Sequence, residues 1–160
     1  MYTNSNHTLK KSDYNQNFDE KLDFNDKFIL IILTIKKSNP EPNIYILLLF
    51  QLPTFQLAEY ERFDHQVRAK DAVDFLKRFL FRRGSKKELT LLFVKGSPFT
   101  TNYFIFFLYL YKIKGFYYKK NSENPKITLL KKELLLRLQD QSIYKLEDFF
   151  YNWNSKVLKL

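Results

Sequence analysis

Residues 74–132 constrain the fold most, because glycines, a proline and helix-capping residues divide this stretch into short elements. An amphipathic helix over residues 74–83 ends at Gly84, the residue type that most readily adopts the left-handed conformation at a helix end. A strand rich in Leu and Phe follows over residues 88–96. This order predicts an αβ unit as the first part of the stretch.

The second part of the stretch predicts another helix and a hairpin. Thr100 or Thr101 is the expected N-cap of a helix that runs to residue 113, because a hydroxyl accepts a free N–H bond of the first turn. Aromatic side chains surround this helix, which favours core packing over stacking on exposed bases. Asn124 and Pro125 precede a predicted strand over residues 126–132, which completes an αβαββ order.

The amino-terminal part has three segments of different character. Residues 1–26 are polar and rich in Asn, so we expect a flexible arm. Residues 27–36 are a continuous run rich in β-branched residues, which predicts a buried strand; residues 44–52 give a second strand, and the two are expected to form a hairpin. From residue 56 to residue 83 apolar residues recur every three or four positions, which predicts a helix with a break near residues 64–65.

The carboxy-terminal part leaves two alternatives open. The Leu-rich run over residues 130–136 either continues the preceding strand or becomes a helix. Trp153 either anchors a neighbouring protein or docks on the chain's own core.

Positive charge is concentrated in one block. The formal net charge is +10, and residues 66–135 hold 16 Lys and Arg against 5 Asp and Glu. Such a block favours phosphate or an anionic membrane as partner, or serves only as a solvated surface.

There is no cysteine, which excludes a disulfide scaffold and thiolate chemistry. The excess of Lys over Arg, with many Phe, Tyr, Ile and Asn, indicates an AT-rich gene such as an organellar one.

Cations line the polar side of the first helix and continue into the next loop. We predict that they bind phosphates, with a role limited to the helix dipole and solubility as the alternative. The backbone N–H groups at the start of the second helix either bind a phosphate or are only satisfied by an ordinary N-cap. The predicted binding residues are Lys77, Arg78, Arg82, Arg83, Lys86, Lys87, Lys95, Thr101 and Asn102.

No residue pattern indicates catalysis. His65 follows Asp64, but adjacent side chains on a helix point apart, so no dyad is predicted. Gly84, Gly96 and Gly115 are too dispersed for a phosphate-binding loop or a dinucleotide fingerprint. No His, Cys, Asp or Glu group has the spacing of a metal site. The sequence therefore predicts that the chain is not an enzyme and has no catalytic residue, cofactor or metal.

Several short motifs occur in an order that suggests a known family. Asp74, Leu76 and Arg78 form an Asp-x-Leu-x-Arg helix, and residues 101–102 start a helix that ends before Gly115-Phe116. Residues 129–132 are similar to a Leu-x-Leu-Lys-Tyr hairpin end, and residues 142–145 to an Ile-Tyr-Lys string. The series resembles the amino-terminal half of the small-subunit ribosomal protein eight family, of the bacterial and organellar type. The family's Ser-Arg-Pro-Gly loop and Ser-Thr-Ser-x-Gly signature are absent, which implies a truncated carboxy-terminal module.

This resemblance implies an α+β fold, with a small αβαββ RNA-binding core, an N-terminal β-hairpin extension and a short C-terminal tail. The implied segments are the arm (1–26), the hairpin extension and linker (27–65), the core (66–132) and the carboxy-terminal remnant or extension (133–160).

The implied function is that of a structural constituent of the mitochondrial small ribosomal subunit, which supports subunit assembly and translation. The predicted binding residues would contact small-subunit rRNA, and the extensions would contact neighbouring small-subunit ribosomal proteins. The protein would act in the mitochondrial matrix and be encoded in the organelle. No small-molecule substrate is expected. No membrane span is expected either, because each apolar run is well short of the roughly 20 residues that a spanning helix needs.

Two other classes stay open. An accessory subunit of an organellar membrane complex would dock through the apolar strips at residues 29–32 and 44–50. An enzyme acting on nucleic acid, such as a decayed nuclease, would need a carboxylate pair near the basic block. Asp71 and Asp74 are the local candidates, although the helix dipole by itself favours acidic residues in a first turn.

Overall fold

The computed structural model describes residues 27–38, 40–84, 88–94, 96–118, 125–139 and 146–158, so the predicted arm lies outside the described residues. Within these ranges the strands are β1 (Lys27–Ile35), β2 (Ile44–Gln51), β3 (Gln56–Phe63), β4 (Thr90–Val94) and β5 (Lys114–Tyr118). The helices are α1 (Ala69–Arg83), α2 (Asn102–Leu110), α3 (Pro125–Gln139) and α4 (Leu146–Val157).

The five strands form one mixed sheet in the order β3-β2-β1-β4-β5. β1 and β2 pair antiparallel, with Leu30 opposite Leu49, as the predicted hairpin requires. β3 pairs antiparallel with β2, whereas β4 pairs parallel with both β1 and β5. The α+β class is therefore confirmed. β1 is the central strand of the sheet, and the predicted segment boundaries at residues 26, 65 and 132 stay a prediction.

Both faces of the sheet are covered by helices. Phe28 and Leu30 of β1 belong to the core beneath α1 and α2, together with Leu76 of α1. Ile29 and Ile31 belong to the opposite core, which α3 and α4 cover. Alternate residues of β1 thus enter different cores. Burial on both faces is the reason that its sequence is a continuous apolar run instead of an alternating one.

The helix predicted from residue 56 is wrong over residues 56–63, which form β3. The register against β2 shifts between Leu49 and Phe50, which lie opposite Glu59 and Leu57, so Ala58 is the extra residue of a β-bulge. Such a bulge interrupts the period of two that marks a strand. Glu, Gln, Leu, Ala and Arg are also good helix formers, so local propensity indicated helix while pairing with β2 made a strand.

The strand predicted over residues 126–132 is also wrong, because this stretch lies inside α3. The helix begins at Pro125, where a missing N–H costs nothing because the first turn leaves that group unpaired. Leu130 is buried in the core that α3 shares with β1, and Leu129 packs against it. The αβαββ order therefore does not form, and the Leu-rich run is helical.

The last helix closes the second core. Phe149, Phe150 and Trp153 of α4 are buried there, so Trp153 docks on the chain's own core and does not anchor a neighbour. Among the described residues, no helix has the length and apolar character needed to cross a membrane.

Candidate nucleic-acid interface

The predicted cations of α1 lie on a helix with well-defined ends. At its start, the backbone N–H of Arg68 donates to the Asp71 carboxylate at 2.9 Å, as in one half of a capping box. At its end, Gly84 has φ +63° and donates its N–H to the carbonyl of Leu80 at 3.2 Å. Asp71 thus serves the helix start, which explains this carboxylate without a catalytic role.

Two of the predicted phosphate-binding arginines are in ion pairs with the edge strand β3. Arg78 pairs with Glu61, and Arg82 pairs with Glu59. The glutamates lie opposite Leu49 and Leu47 of β2, which belong to the core beneath α1, so they are on the same side of the sheet as α1. The pairs fix the arginine side chains along the edge of the helix and neutralise part of their charge.

The remaining cations of α1 differ in their environment. Lys77 is exposed, and among the described residues no carboxylate pairs with it. The guanidinium carbon of Arg83 lies 5.4 Å from the ring centroid of Phe28, in a cation–π contact. Its Nη1 atom is buried, with no hydrogen-bond partner in the described part of the chain. Arg83 therefore reaches inward, whereas Lys77 reaches into solvent.

A shallow groove lies beside Lys77. It has a volume of about 700 Å³ and is lined by Lys77, Arg78, Leu80, Phe81, Arg82 and Tyr111. Phe81 is 87% exposed, and Tyr111 is 48% exposed. The groove thus combines three cations with two aromatic rings that solvent reaches.

The aromatic members of the groove were missed in the sequence. Phe79 of α1 is buried, and Phe81 follows it by two positions, which on a helix turns the side chain to the opposite side. The sequence did contain a signal of this exposure, because Phe81 is out of phase with the buried face of α1 and lies among cationic residues. The expectation that α2 is buried on several sides is only partly correct. Phe104 and Phe107 are buried, but Tyr103, Phe106 and Leu110 are exposed.

The start of α2 is capped as predicted. The hydroxyl of Thr101 accepts the N–H of Phe104 at 3.3 Å and donates to the carbonyl of Pro98 at 2.9 Å. Asn102 is exposed at the first position of the helix. The structure therefore brings the α1 cations together but places Thr101 and Asn102 on another element, and Lys86, Lys87 and Lys95 lie outside the described residues.

Three solved structures share this architecture. The Mos1 transposase catalytic domain with raltegravir and Mn has a TM-score of 0.59 at 11% identity, over 86% of this chain and 85% of that chain. The HTLV-2 integrase catalytic core domain with magnesium, in a dimeric form, has a TM-score of 0.52 at 10% identity, over 84% and 83%. The fold is RNase H-like.

The third is a simian T-cell lymphotropic virus intasome in complex with the PP2A regulatory subunit B56 gamma. Its TM-score is 0.57 at 11% identity, over 84% of this chain and 49% of the other, so this chain spans about half the length of that one. No protein-family model and no curated protein sequence matches the chain. At such identities the likeness establishes the fold.

This fold overturns the ribosomal interpretation. The similar structures are integrase and transposase cores, so the resemblance to the ribosomal protein family, the role in mitochondrial translation and the rRNA and ribosomal-protein partners are wrong. The motifs that carried the resemblance serve other purposes. Arg78 of the Asp-x-Leu-x-Arg motif pairs with Glu61, and the supposed hairpin end at residues 129–132 is part of α3.

The prediction that the chain is not an enzyme is wrong on the same comparison. The Mos1 transposase and HTLV-2 integrase structures are those of catalytic domains. The lack of a recognisable motif did not justify that prediction, because a catalytic site can be assembled from residues that are far apart in the chain.

Two of the similar structures contain Mn or magnesium. Over the described ranges, no three His, Cys, Asp or Glu side chains are grouped so that they could hold a metal. β1 and β4 contain no Asp or Glu, and Glu59 and Glu61 of β3 are paired with arginines. The described residues do not fit a bound metal, and we assign no step to one.

Proposed function

We propose that this chain is a DNA-processing core of the kind found in transposases and integrases. The observation that carries the proposal is the sheet order β3-β2-β1-β4-β5 with helices on both faces. The same architecture occurs in the catalytic domains of Mos1 transposase and HTLV-2 integrase. The reaction class is cleavage or joining of DNA strands.

The charge of the chain supports DNA as the substrate. Its net charge of +10 attracts the phosphate backbone of nucleic acid, and counterion release makes such binding strongly salt dependent. The residues predicted to bind phosphate become candidate DNA contacts on this proposal, with Lys77 as the described cation that is best placed. Arg78 and Arg82 contribute less, because Glu61 and Glu59 partly neutralise them.

The parallel part of the sheet supports the proposal of a second DNA contact at its carboxyl edge. β1, β4 and β5 run in the same direction, and open sheets of this kind bind ligands outside the carboxyl ends of their strands. α2 begins a few residues after the carboxyl end of β4, so Asn102 lies at this edge. The N–H groups of the first turn favour a phosphate there.

A binding and strand-cleavage experiment tests the proposed function. The full chain is titrated into a fluorescein-labelled duplex oligonucleotide, with anisotropy as the readout, and the products are resolved on a denaturing gel with Mg²⁺, Mn²⁺ or EDTA. We expect salt-dependent binding of the duplex; the gel reports whether strands are shortened or joined, and the EDTA lane reports whether such a reaction depends on a divalent ion. A chain that does not bind duplex DNA even at low salt would contradict the proposal.

A charge change at the start of α2 tests the second contact. Asn102→Asp introduces a negative charge that interacts favourably with the helix dipole but repels a phosphate. We therefore expect unchanged or higher stability together with weaker binding of duplex DNA. Asn152→Asp, at an exposed position of α4, is the matched control and leaves binding unchanged.

The mitochondrial location stays a prediction that subcellular fractionation can test.

A further inference from the structure

The outer surface of α1 and α2 concentrates exposed apolar side chains. Five of the eight large hydrophobic residues that are exposed in the described part of the chain lie on or next to these two helices. They are Phe81, Tyr103, Phe106, Leu110 and Tyr111. An exposed apolar cluster of this kind marks a place where another molecule binds.

The two rings of the groove are presented on fixed supports. Phe81 lies in the last turns of α1, whose end is held by the bond from Gly84 to Leu80. The ring of Tyr111 lies 4.7 Å from that of Phe107, which is itself buried in the core. Flat apolar faces on fixed supports suit a flat ligand, since little side-chain freedom is lost when it binds.

The charges of the groove indicate a polyanion. Lys77 and Arg78 precede Phe81 by one helical turn, and Arg82 follows it directly. None of the described side chains that line the groove is a carboxylate. Lys77 projects its charge into solvent, whereas Glu61 and Glu59 hold the two arginines at the rim.

A second copy of this chain would fit the groove poorly. Two copies that paired through this face about a twofold axis would place their own cations opposite each other, which costs binding energy. An acidic partner with flat aromatic groups avoids this repulsion. Unpaired nucleic acid has both properties, because its bases stack on aromatic side chains and its phosphates follow a basic groove.

We propose that the groove binds single-stranded DNA, with bases on Phe81 and Tyr111 and the backbone beside Lys77. This proposal rests on the proposed DNA-processing function and adds a site for a strand that is unpaired at the point of reaction. Bases in a duplex are already stacked and their faces are covered, so the groove selects single strands over duplex DNA.

The experiment compares binding of a labelled single-stranded dT 20-mer and of the same strand in a duplex, by anisotropy with the full chain. Phe81→Ala should weaken binding of the single strand by at least about fivefold and leave duplex binding nearly unchanged. Tyr151→Ala is the matched control, because Tyr151 is 76% exposed on α4, away from the groove, and its loss should change neither affinity. Thermal unfolding confirms that each variant is folded.

Salt dependence isolates the phosphate contact. Lys77→Gln should lower the slope of log affinity against log salt for the single strand by about 0.7, the value expected for one phosphate. Lys132→Gln, which removes an exposed lysine of α3, should leave the slope unchanged.

Each contrary outcome has a separate meaning. Single-strand binding that Phe81→Ala leaves intact overturns the groove but not the proposed function, which the duplex experiment tests independently. Equal or tighter binding of a U 20-mer overturns DNA as the occupant. A concentration-dependent dimer that Phe81→Ala disrupts shows that the groove is instead a contact between copies.

Discussion

The indole Nε1 of Trp153 donates a hydrogen bond to the backbone carbonyl of Phe55 at 3.0 Å, across 98 residues of sequence. Phe55 has φ +67°, an uncommon conformation for a residue with a side chain, and it lies just before β3. The adjacent Asn154 accepts from the N–H of Leu57 at 2.6 Å and donates to its carbonyl at 3.2 Å. α4 therefore supplies hydrogen bonds to the start of β3, which is an edge strand of the sheet that the described residues form.

Trp153→Phe tests the bond to Phe55. The substitution keeps an aromatic ring in the core but removes the indole N–H that donates to this buried carbonyl, so we expect the free energy of unfolding to fall by about 1–3 kcal/mol. Urea unfolding measures the change. Tyr151→Phe, on the exposed side of the same helix, is the control, and an equal loss in both variants would contradict a specific role for the bond.

The ion pair of Arg78 and Glu61 should contribute little to stability. Both side chains are substantially exposed, at 50% and 35%, so water and salt screen the attraction. A double-mutant cycle with Arg78→Gln and Glu61→Gln should give a coupling free energy of at most about 1 kcal/mol, and less at high salt. A salt-independent coupling well above that value would show that the pair acts as a buried one.

Gly84→Ala should destabilise α1 through the backbone alone. A Cβ at this position would meet nothing within 4 Å, so no clash is expected, but φ +63° disfavours any residue with a side chain. We expect a loss of about 1–2 kcal/mol in the free energy of unfolding, measured by thermal or urea denaturation. Gly84→Asn should cost less, because Asn tolerates this conformation better. Equal losses in the two variants would argue against a backbone origin.

Tyr60 should make stability fall at alkaline pH. Burial, and to a lesser extent Glu147 and Glu59, raises the pKa of Tyr60 above its ordinary value of 10.0. Because the folded pKa is the higher one, this stabilisation is fully present below pH 10 and is lost as pH rises through the folded pKa.

Comparison with Tyr60→Phe isolates the contribution of this one group. The free energy of unfolding of the parent chain should fall more steeply than that of the variant as pH rises from about 9 to 11. The ring stays in place in the variant, where it contacts Phe150 at a centroid distance of 4.7 Å in the parent. Parallel pH profiles would show that Tyr60 does not titrate differently in the two states.

Local structure was predicted best where a residue has a specific chemical role. Gly84 ends α1 and Thr101 caps α2, because a left-handed φ and a free N–H group each demand a particular residue type. The candidate interface was predicted in part. The α1 cations are on the surface with the exception of Arg83, whose guanidinium reaches Phe28, but Phe81 and Tyr111 were missed because the exposure of an aromatic side chain depends on what packs around it.

By itself, the sequence determined the end of α1 at Gly84, the cap of α2 at Thr101, which segments are apolar, and that the protein carries a strong positive charge. Tertiary structure decided which segments pair, and thereby made Gln56–Phe63 a strand, Pro125–Gln139 a helix, and β1 the centre of the sheet. The physical reason is that local propensities differ by less than about 1 kcal/mol per residue, so long-range burial and pairing override them. Contacts such as Trp153 with Phe55 join residues whose proximity no local pattern encodes.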